Sequence, residues 1–289
     1  MDYLIKALAR NGRVRVYITR TTKVTNDAIL THDLWPSAAS ILGKTLTVAL
    51  LMGAMLKGEE ALTIKIDGNG PIGVVVADSN AKGEARGYVR NPHVHFSKHN
   101  NLDEVTTLGY NGYIDVIKDL KLKDFYSSTI PLQTGDLAKD FTYYFAHSEQ
   151  TPTLTSLGSV IKEDNTCSLC GGIIIQLMPD AREEDIEFLE FKTPILSSFS
   201  GLLAENEDLE NILKLIFGDD YEILDKMNVR YHCACSKDKF ARGIASIGKA
   251  EIRNIIETDG QAEVICHYCK NQYIYSKEEL EQIEKESKL

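Results

Sequence analysis

Along residues 13–20, "RVRVYITR", apolar and polar side chains alternate, with Val14, Val16 and Ile18 on one face and Arg13, Arg15 and Thr19 among the outward positions. A period of two predicts a half-buried strand. The pattern then changes. "HDLWPSAASILGKTLTVALLMGAMLKG" is apolar over most of its length and predicts a long core helix closed near Gly58. Its most apolar stretch, Leu46 to Leu56, is too short to span a bilayer, which takes about 20 residues, so no membrane association is expected. "ALTIKIDGNGPIGVVVAD" predicts a strand, a glycine-rich turn and a second strand, and "EARGYVRN" a further strand. "TGDLAKDFTYYFAHSEQ" has helical spacing, and "GGIIIQLMP" is an apolar strand ending at Pro179. Residues 1–179 are therefore expected to form a mixed α/β body.

Residues 180–230 carry a different pattern. "DAREEDIEFLEFK" opens with Asp180-x-x-Glu183, close to a capping box, and places Ile186 and Leu189 at helical spacing with Phe188 and Phe191 off that stripe. "PILSSFSGLLAE" follows, with Pro194 at an expected helix start. "NEDLENILKLIFG" offers Asn206 as N-cap, sets Leu209, Ile212, Leu213 and Ile216 on one side, and ends at Gly218. Short amphipathic helices of this kind draw their stability from the surface they dock on. In the last segment, residues 231–289, "SKDKFARGIASIGKAEIRNIIETDG" predicts two helices and "EVICHYCKNQYIYS" a hairpin with Cys266 and Cys269 in its turn. Ser276-x-x-Glu279 is a capping box for a final helix.

Charge divides the chain at the same places. The net charge is −10 over 289 residues. Residues 1–179 balance 18 basic against 18 acidic side chains, residues 180–230 carry 5 against 14, and residues 231–289 carry 9 against 10. This acidic balance argues against nonspecific nucleic-acid binding, which needs Lys and Arg on phosphates. The opening "MDYLIKALAR" has no long apolar run and no small-residue cleavage site, so a cytoplasmic protein is expected. In a reducing compartment, six cysteines point to metal or redox chemistry rather than to a disulfide scaffold.

Four of the six stand in two tight pairs, Cys233-x-Cys235 and Cys266-x-x-Cys269. Each pair lets one backbone turn deliver two sulfurs to one ion, and two turns complete a tetrahedral zinc shell. The segment that holds them is too short for a robust core and is of the size that needs a metal. His232 and His267 are possible substitute ligands, but four thiolates already fill the shell, and ordinary packing or surface positions are expected for both. A filled shell leaves no place for water or substrate, so no enzyme is expected. Metal-bound sulfurs are thiolates, the form that oxidants attack. Sulfurs that pair with each other stop holding the ion, and the folding energy of the module goes with it. The acidic helices would then loosen and uncover Phe188, Phe191, Phe199, Leu202, Leu203 and the body surface beneath.

With these parts in order, the chain resembles the redox-regulated heat-shock holdases of the 33 kDa chaperonin family. The resemblance rests on "CAC", a helical spacer, "EVICHYC" and "YIYSKEEL", with "GNGPIGVVV", "RGYVRNPHV", "TGDLAKDFTYYFAHSEQTP" and "GGIIIQLMP" in the body. It implies an α+β chaperone body at 1–179, a linker at 180–230 and a zinc-binding redox switch at 231–289. It further implies that Cys233, Cys235, Cys266 and Cys269 bind one zinc in a reduced, inactive monomer. Oxidation would form Cys233–Cys235 and Cys266–Cys269 disulfides, release zinc, unfold the linker and yield a homodimer. That dimer would hold unfolded client proteins without ATP and pass them to an ATP-dependent foldase system. "CSLCGG" departs from the family pattern, since a small residue, commonly alanine, is expected at the Cys170 position. Cys167 and Cys170 are expected as small buried residues rather than as a second redox pair.

Three other motifs are expected to be structural. "LGKT", Leu42 to Thr45, resembles half of a phosphate loop, but Ala38 stands where the first glycine belongs, and Lys44 is expected as a polar residue on a core helix. His93, His95 and His99 are expected at a solvated strand end rather than around a metal. "FTYYF", Phe141 to Phe145, is expected in the core rather than as a client surface. Two other functions fit the cysteine motif taken alone. One is a zinc-ribbon nucleic-acid-binding protein. The other is a thiol–disulfide oxidoreductase using Cys266 and Cys269 or Cys167 and Cys170.

Overall fold

The computed structural model describes residues 1–99 and 101–287. Asn100 and the last two residues of the C-terminal segment, Lys288 and Leu289, lie outside the described residues. The chain divides into two compact units, Met1–His232 and Cys233–Leu289.

The first unit opens with β1 (Tyr3–Ala9), β2 (Val14–Arg20), α1 (Thr22–His32) and α2 (Pro36–Gly53). Then come β3 (Ala61–Asp67), β4 (Val75–Asn80), β5 (Glu84–Val89), β6 (Ser97–Lys98), β7 (Asn101–Leu102), α3 (Glu104–Leu108), β8 (Tyr113–Asp119) and β9 (Tyr126–Pro131). It continues through α4 (Leu137–His147), β10 (Thr153–Ile161), β11 (Cys167–Leu177), α5 (Glu183–Leu196), α6 (Phe199–Glu205), α7 (Leu209–Phe217), β12 (Tyr221–Asn228) and β13 (Arg230–Tyr231). One sheet runs β10-β11-β2-β1-β12, antiparallel throughout. The other runs β13-β5-β4-β3-β8-β9, antiparallel except where β13 lies parallel to β5.

Helix α2 packs on both sheets, and of its residues only Pro36 and Lys44 escape full burial. It is long and apolar enough to cross a membrane, but 89% of it is buried inside the fold, which makes it a core helix. The helix is shorter than the expected run. Pro36 fits only the first turn and fixes the start, while Met55 and Leu56 tighten onto Met52 O and Gly53 O at the end. The aromatic run joins this core, with Phe141, Tyr144 and Phe145 all buried.

The strand expected to be half-buried is covered on both faces. Tyr17 faces the α2 core, whereas Val14, Val16 and Ile18 join a second core built by α5, α6 and α7. Leu189, Leu196, Phe199, Leu202, Leu203, Leu209, Ile212, Leu213 and Ile216 close over Ile5, Ala7, Ile173 and Ile175 of the sheet. Two of its polar positions are buried with it, Thr19 donating to Tyr3 O at 2.9 Å and Arg13 meeting Asp185, while Arg15 and Arg20 are half-buried.

Local details of the acidic segment differ from expectation. Pro194 lies inside α5 near its end, where the preceding turns are already formed, instead of starting a helix. Asn206 closes α6 by donating from its backbone N–H to Leu202 O, and Asp208 precedes α7. The carboxylate at the start of α5 that reaches back is Asp185, which accepts Arg182 N–H at 3.0 Å. Phe191 is already 77% exposed, so it needs no uncovering. The final stretch, Tyr221–Asn228, is an edge strand on β1.

The second unit comprises α8 (Lys237–Ala245), α9 (Lys249–Thr258), the hairpin β14 (Ala262–Ile265) and β15 (Gln272–Tyr275), and α10 (Lys277–Glu286). Its core is small: Ile244, Ile252, Tyr275, Leu280 and Ile283. The Ser276–Glu279 capping box forms as expected, with Ser276 N–H donating to Glu279 at 2.9 Å.

Candidate metal centre

Two turns bring the four paired cysteines together. The first, Cys233 to Cys235, runs into α8, whose N-cap Ser236 accepts Lys239 N–H and fixes the exit direction of the turn. The second joins β14 to β15. There Lys270 N–H donates to Cys266 O and Cys266 N–H to Asn271 O, each at 2.9 Å. Lys270 adopts φ 61°, the left-handed conformation such a turn requires.

The four sulfurs all lie within 4.8 Å of one another. Cys233 Sγ is 3.7 Å from Cys266 Sγ, and Cys235 Sγ is 3.2 Å from Cys269 Sγ. Four sulfurs around one ion at about 2.3 Å in a tetrahedron would stand about 3.8 Å apart. The donor set, four soft sulfurs at this spacing, fits a tetrahedral thiolate-bound ion. Cys266 is buried, while Cys233, Cys235 and Cys269 are half-buried.

A phenol stands beside the cluster. Tyr273 Oη is 3.2 Å from Cys235 Sγ, and its ring packs on Phe240 at 5.3 Å. Burial raises the Cys235 thiol, but the Tyr273 hydroxyl and the neighbouring sulfurs outweigh it and bring the group down to about 7. Burial pushes the Cys269 thiol up. Sequence reasoning gave Tyr273 no role beyond the hairpin and the "YIYSKEEL" motif, although its place four residues after Cys269 on the same hairpin marks it as a neighbour.

Among the described residues, these cysteines are the one group of potential ligands close enough to hold an ion. His267 is exposed, and His232, in the first unit, stands 3.9 Å from Glu84. His93 pairs with Asp33 at 2.8 Å, and His95 meets Ser37 Oγ at 3.2 Å. Lys44 pairs with Glu104 at 2.7 Å, and a Cβ at Gly43 would come within 2.7 Å of Thr25, so that glycine serves helix packing. Cys167 and Cys170 lie buried on β11, where Cys167 Sγ donates to Leu169 O at 3.2 Å. Its hydrogen bond with Cys170, and burial, push the Cys167 thiol up.

Comparison with known proteins agrees over the full length. The family model described as Hsp33 protein matches residues 2–276. The 33 kDa chaperonin of Bacillus velezensis is 46% identical over 99% of both chains, and that of Bacillus subtilis 47% identical over 97% of both. The crystal structure of the 33 kDa chaperonin homologue from Thermotoga maritima superposes with a TM-score of 0.88 at 33% identity, covering 98% of this chain and 97% of that one. The two-sheet α+β body, the cysteine cluster and these matches lead to one assignment: the chain belongs to the Hsp33 family of heat-shock chaperones, the 33 kDa chaperonins, which are not enzymes.

Proposed function

We propose that the chain is an ATP-independent holdase switched on by oxidation, with zinc as its metal and unfolded proteins as its clients. One observation carries this reading: the sulfurs of Cys233, Cys235, Cys266 and Cys269 converge from two turns about thirty residues apart. When bound, zinc supplies a cross-link between those turns. The five-residue core of the second unit is a small counterweight to the chain entropy of that unit.

Oxidation exchanges that cross-link for shorter ones. A thiolate attacks peroxide, an S–O bond forms, the O–O bond breaks and hydroxide leaves. The partner thiolate then displaces the second hydroxide, so two electrons pass from the sulfur pair to the peroxide. Disulfides Cys233–Cys235 and Cys266–Cys269 each close only a local loop and leave the two turns untied. Loss of the thiolates releases the zinc and with it the folding energy of the unit.

The acidic segment supplies the next step. Helices α5–α7 cover an apolar sheet face that includes Val14, Val16, Ile18, Ile173 and Ile175. Only His232 separates the two-residue β13 from the second unit, so unravelling reaches that short strand first. Loosened helices uncover that face together with Phe199, Leu202 and Leu203, and an unfolded client offers the apolar segments to fill it. The reduced form is a monomer and the oxidised form a homodimer in the cytoplasm, from which clients pass to an ATP-dependent foldase system.

Zinc release and suppression of client aggregation, followed together during peroxide treatment, test the reading. Both should rise in step. A reduced, zinc-loaded chain that suppresses aggregation as well as the oxidised one would sink it.

A further inference from the structure

We propose that Tyr273 restrains the oxidation of Cys235, its phenol donating a hydrogen bond to that sulfur. The proposal deepens the zinc-switch reading and rests on it.

The contact is 3.2 Å, from Tyr273 Oη to Cys235 Sγ. A metal-bound cysteine sulfur is a thiolate and only accepts hydrogen bonds, so the phenol is the donor. Its position is fixed from two sides. Tyr273 lies on β15 opposite Val264, in the hairpin that carries Cys266 and Cys269. Its ring leans on Phe240 of α8, 5.3 Å away at 43°. The phenol therefore reaches from the second cysteine turn to the first, where Cys235 also lies 3.2 Å from Cys269.

The chemistry sets the direction of the effect. Cys235 attacks a peroxide oxygen with a sulfur lone pair; S–O forms, O–O breaks and hydroxide departs. The resulting sulfenic acid meets the Cys233 thiolate, S–S forms and a second hydroxide departs, with peroxide taking both electrons. A donated hydrogen bond draws density from the attacking lone pair and stabilises the thiolate before attack. A thiolate stabilised in this way is a weaker nucleophile. A hydrogen bond to a charged group is worth roughly 1.5–3 kcal/mol, enough to change a rate by tenfold or more.

The experiment uses the full-length chain, reduced and loaded with zinc, as wild type, Tyr273→Phe and Tyr275→Phe. Zinc is counted first. Each protein then receives hydrogen peroxide, samples are quenched with an alkylating reagent, and mass spectrometry reads the oxidation of each cysteine with time. Tyr275 is the control. It is buried in the same small core and donates to Lys237 O at 2.5 Å, so its loss loosens the unit without removing a bond to sulfur. We expect Tyr273→Phe to keep one zinc and to oxidise at Cys235 about tenfold faster, the rate change that losing about 1.4 kcal/mol of charge-assisted hydrogen bond gives. Tyr275→Phe should stay close to wild type.

A wild-type rate in Tyr273→Phe overturns the proposal. So does equal acceleration in both variants, which would make looseness of the unit the cause. A Tyr273→Phe chain unable to hold zinc overturns it as well, because the phenol would then be a structural requirement. A wild type without zinc brings down the switch reading first and this proposal with it, and the initial zinc count separates that failure from the others.

Discussion

Arg13 Nε stands 2.6 Å from Asp185 Oδ2, joining the turn between β1 and β2 to the first helix of the acidic segment. Arg13 Nη2 and Arg10 Nε reach the other carboxylate oxygen at 3.0 and 2.9 Å. Asp185 is fully buried, so its charge depends on those two guanidinium groups. The pair clamps α5 over the apolar sheet face. Asp185→Asn should destabilise the first unit by about 1–3 kcal/mol, because Arg13 loses its buried partner and keeps only Glu184, while Arg10 keeps Asp220. Limited proteolysis should cut residues 183–217 sooner in the reduced variant than in the reduced wild type. An unchanged urea midpoint and an unchanged cleavage pattern would remove Asp185 from this role.

The same clamp gives the first unit an acid limit. The hydrogen bond from Arg13 holds the Asp185 carboxyl well below the usual carboxylate range, against its burial. A carboxyl whose folded-state value is depressed adds stability above its unfolded value, about 3.9, and loses it as pH falls from there toward the folded value. The urea midpoint of the reduced protein should therefore fall as pH drops below about 4, with no contribution from this group to any change between pH 6 and 8. Asp185→Asn should flatten the acid limb. An equal slope in both proteins would assign the acid sensitivity to other carboxylates.

The parts of this molecule that were legible in its sequence are those encoded locally. The cysteine pairs, the Ser276 box and the stripe of Leu209, Ile212, Leu213 and Ile216 each lie within one turn or one helix, and the structure places them as their spacing implies. Strand β12 was not legible. "YEILDKMN" is mostly exposed, and its partner β1 lies more than two hundred residues away, with Leu4 opposite Met227. Nothing in the acidic run "DAREEDIEFLEFK" sets Asp185 apart from its neighbours. Its burial depends on Arg10 and Arg13, distant in sequence, as the contact of Tyr273 depends on a turn 38 residues earlier.

The buried pair Cys167 and Cys170 supplies a negative test. Both thiols sit inside the first core, out of contact with solvent oxidants. In the zinc-switch reading they take no part. A Cys167→Ala, Cys170→Ala chain should lose about 1–2 kcal/mol from the small cavities left behind and keep the peroxide response of zinc release unchanged. In the wild type, mass spectrometry after peroxide should find both thiols still free to alkylate once the protein is denatured. A mixed or Cys167–Cys170 disulfide formed in step with zinc release would make the switch a two-site device.

Removing the metal should separate the two units energetically. Cys266 is the most buried of the four sulfurs, and the core beside it has five fully packed members, Ile244, Ile252, Tyr275, Leu280 and Ile283. A core of five buried side chains with a partly exposed fringe is too small to offset the entropy of ordering the segment without a cross-link. Chelation of zinc, or Cys266→Ser, should therefore collapse the amide resonances of residues 233–287 to unfolded positions. Those of β2, β11 and α2 should stay dispersed, because their cores contain no cysteine ligand. If residues 233–287 stay folded after chelation, the hydrophobic contacts suffice by themselves, and loss of the ion cannot be the event that starts the switch.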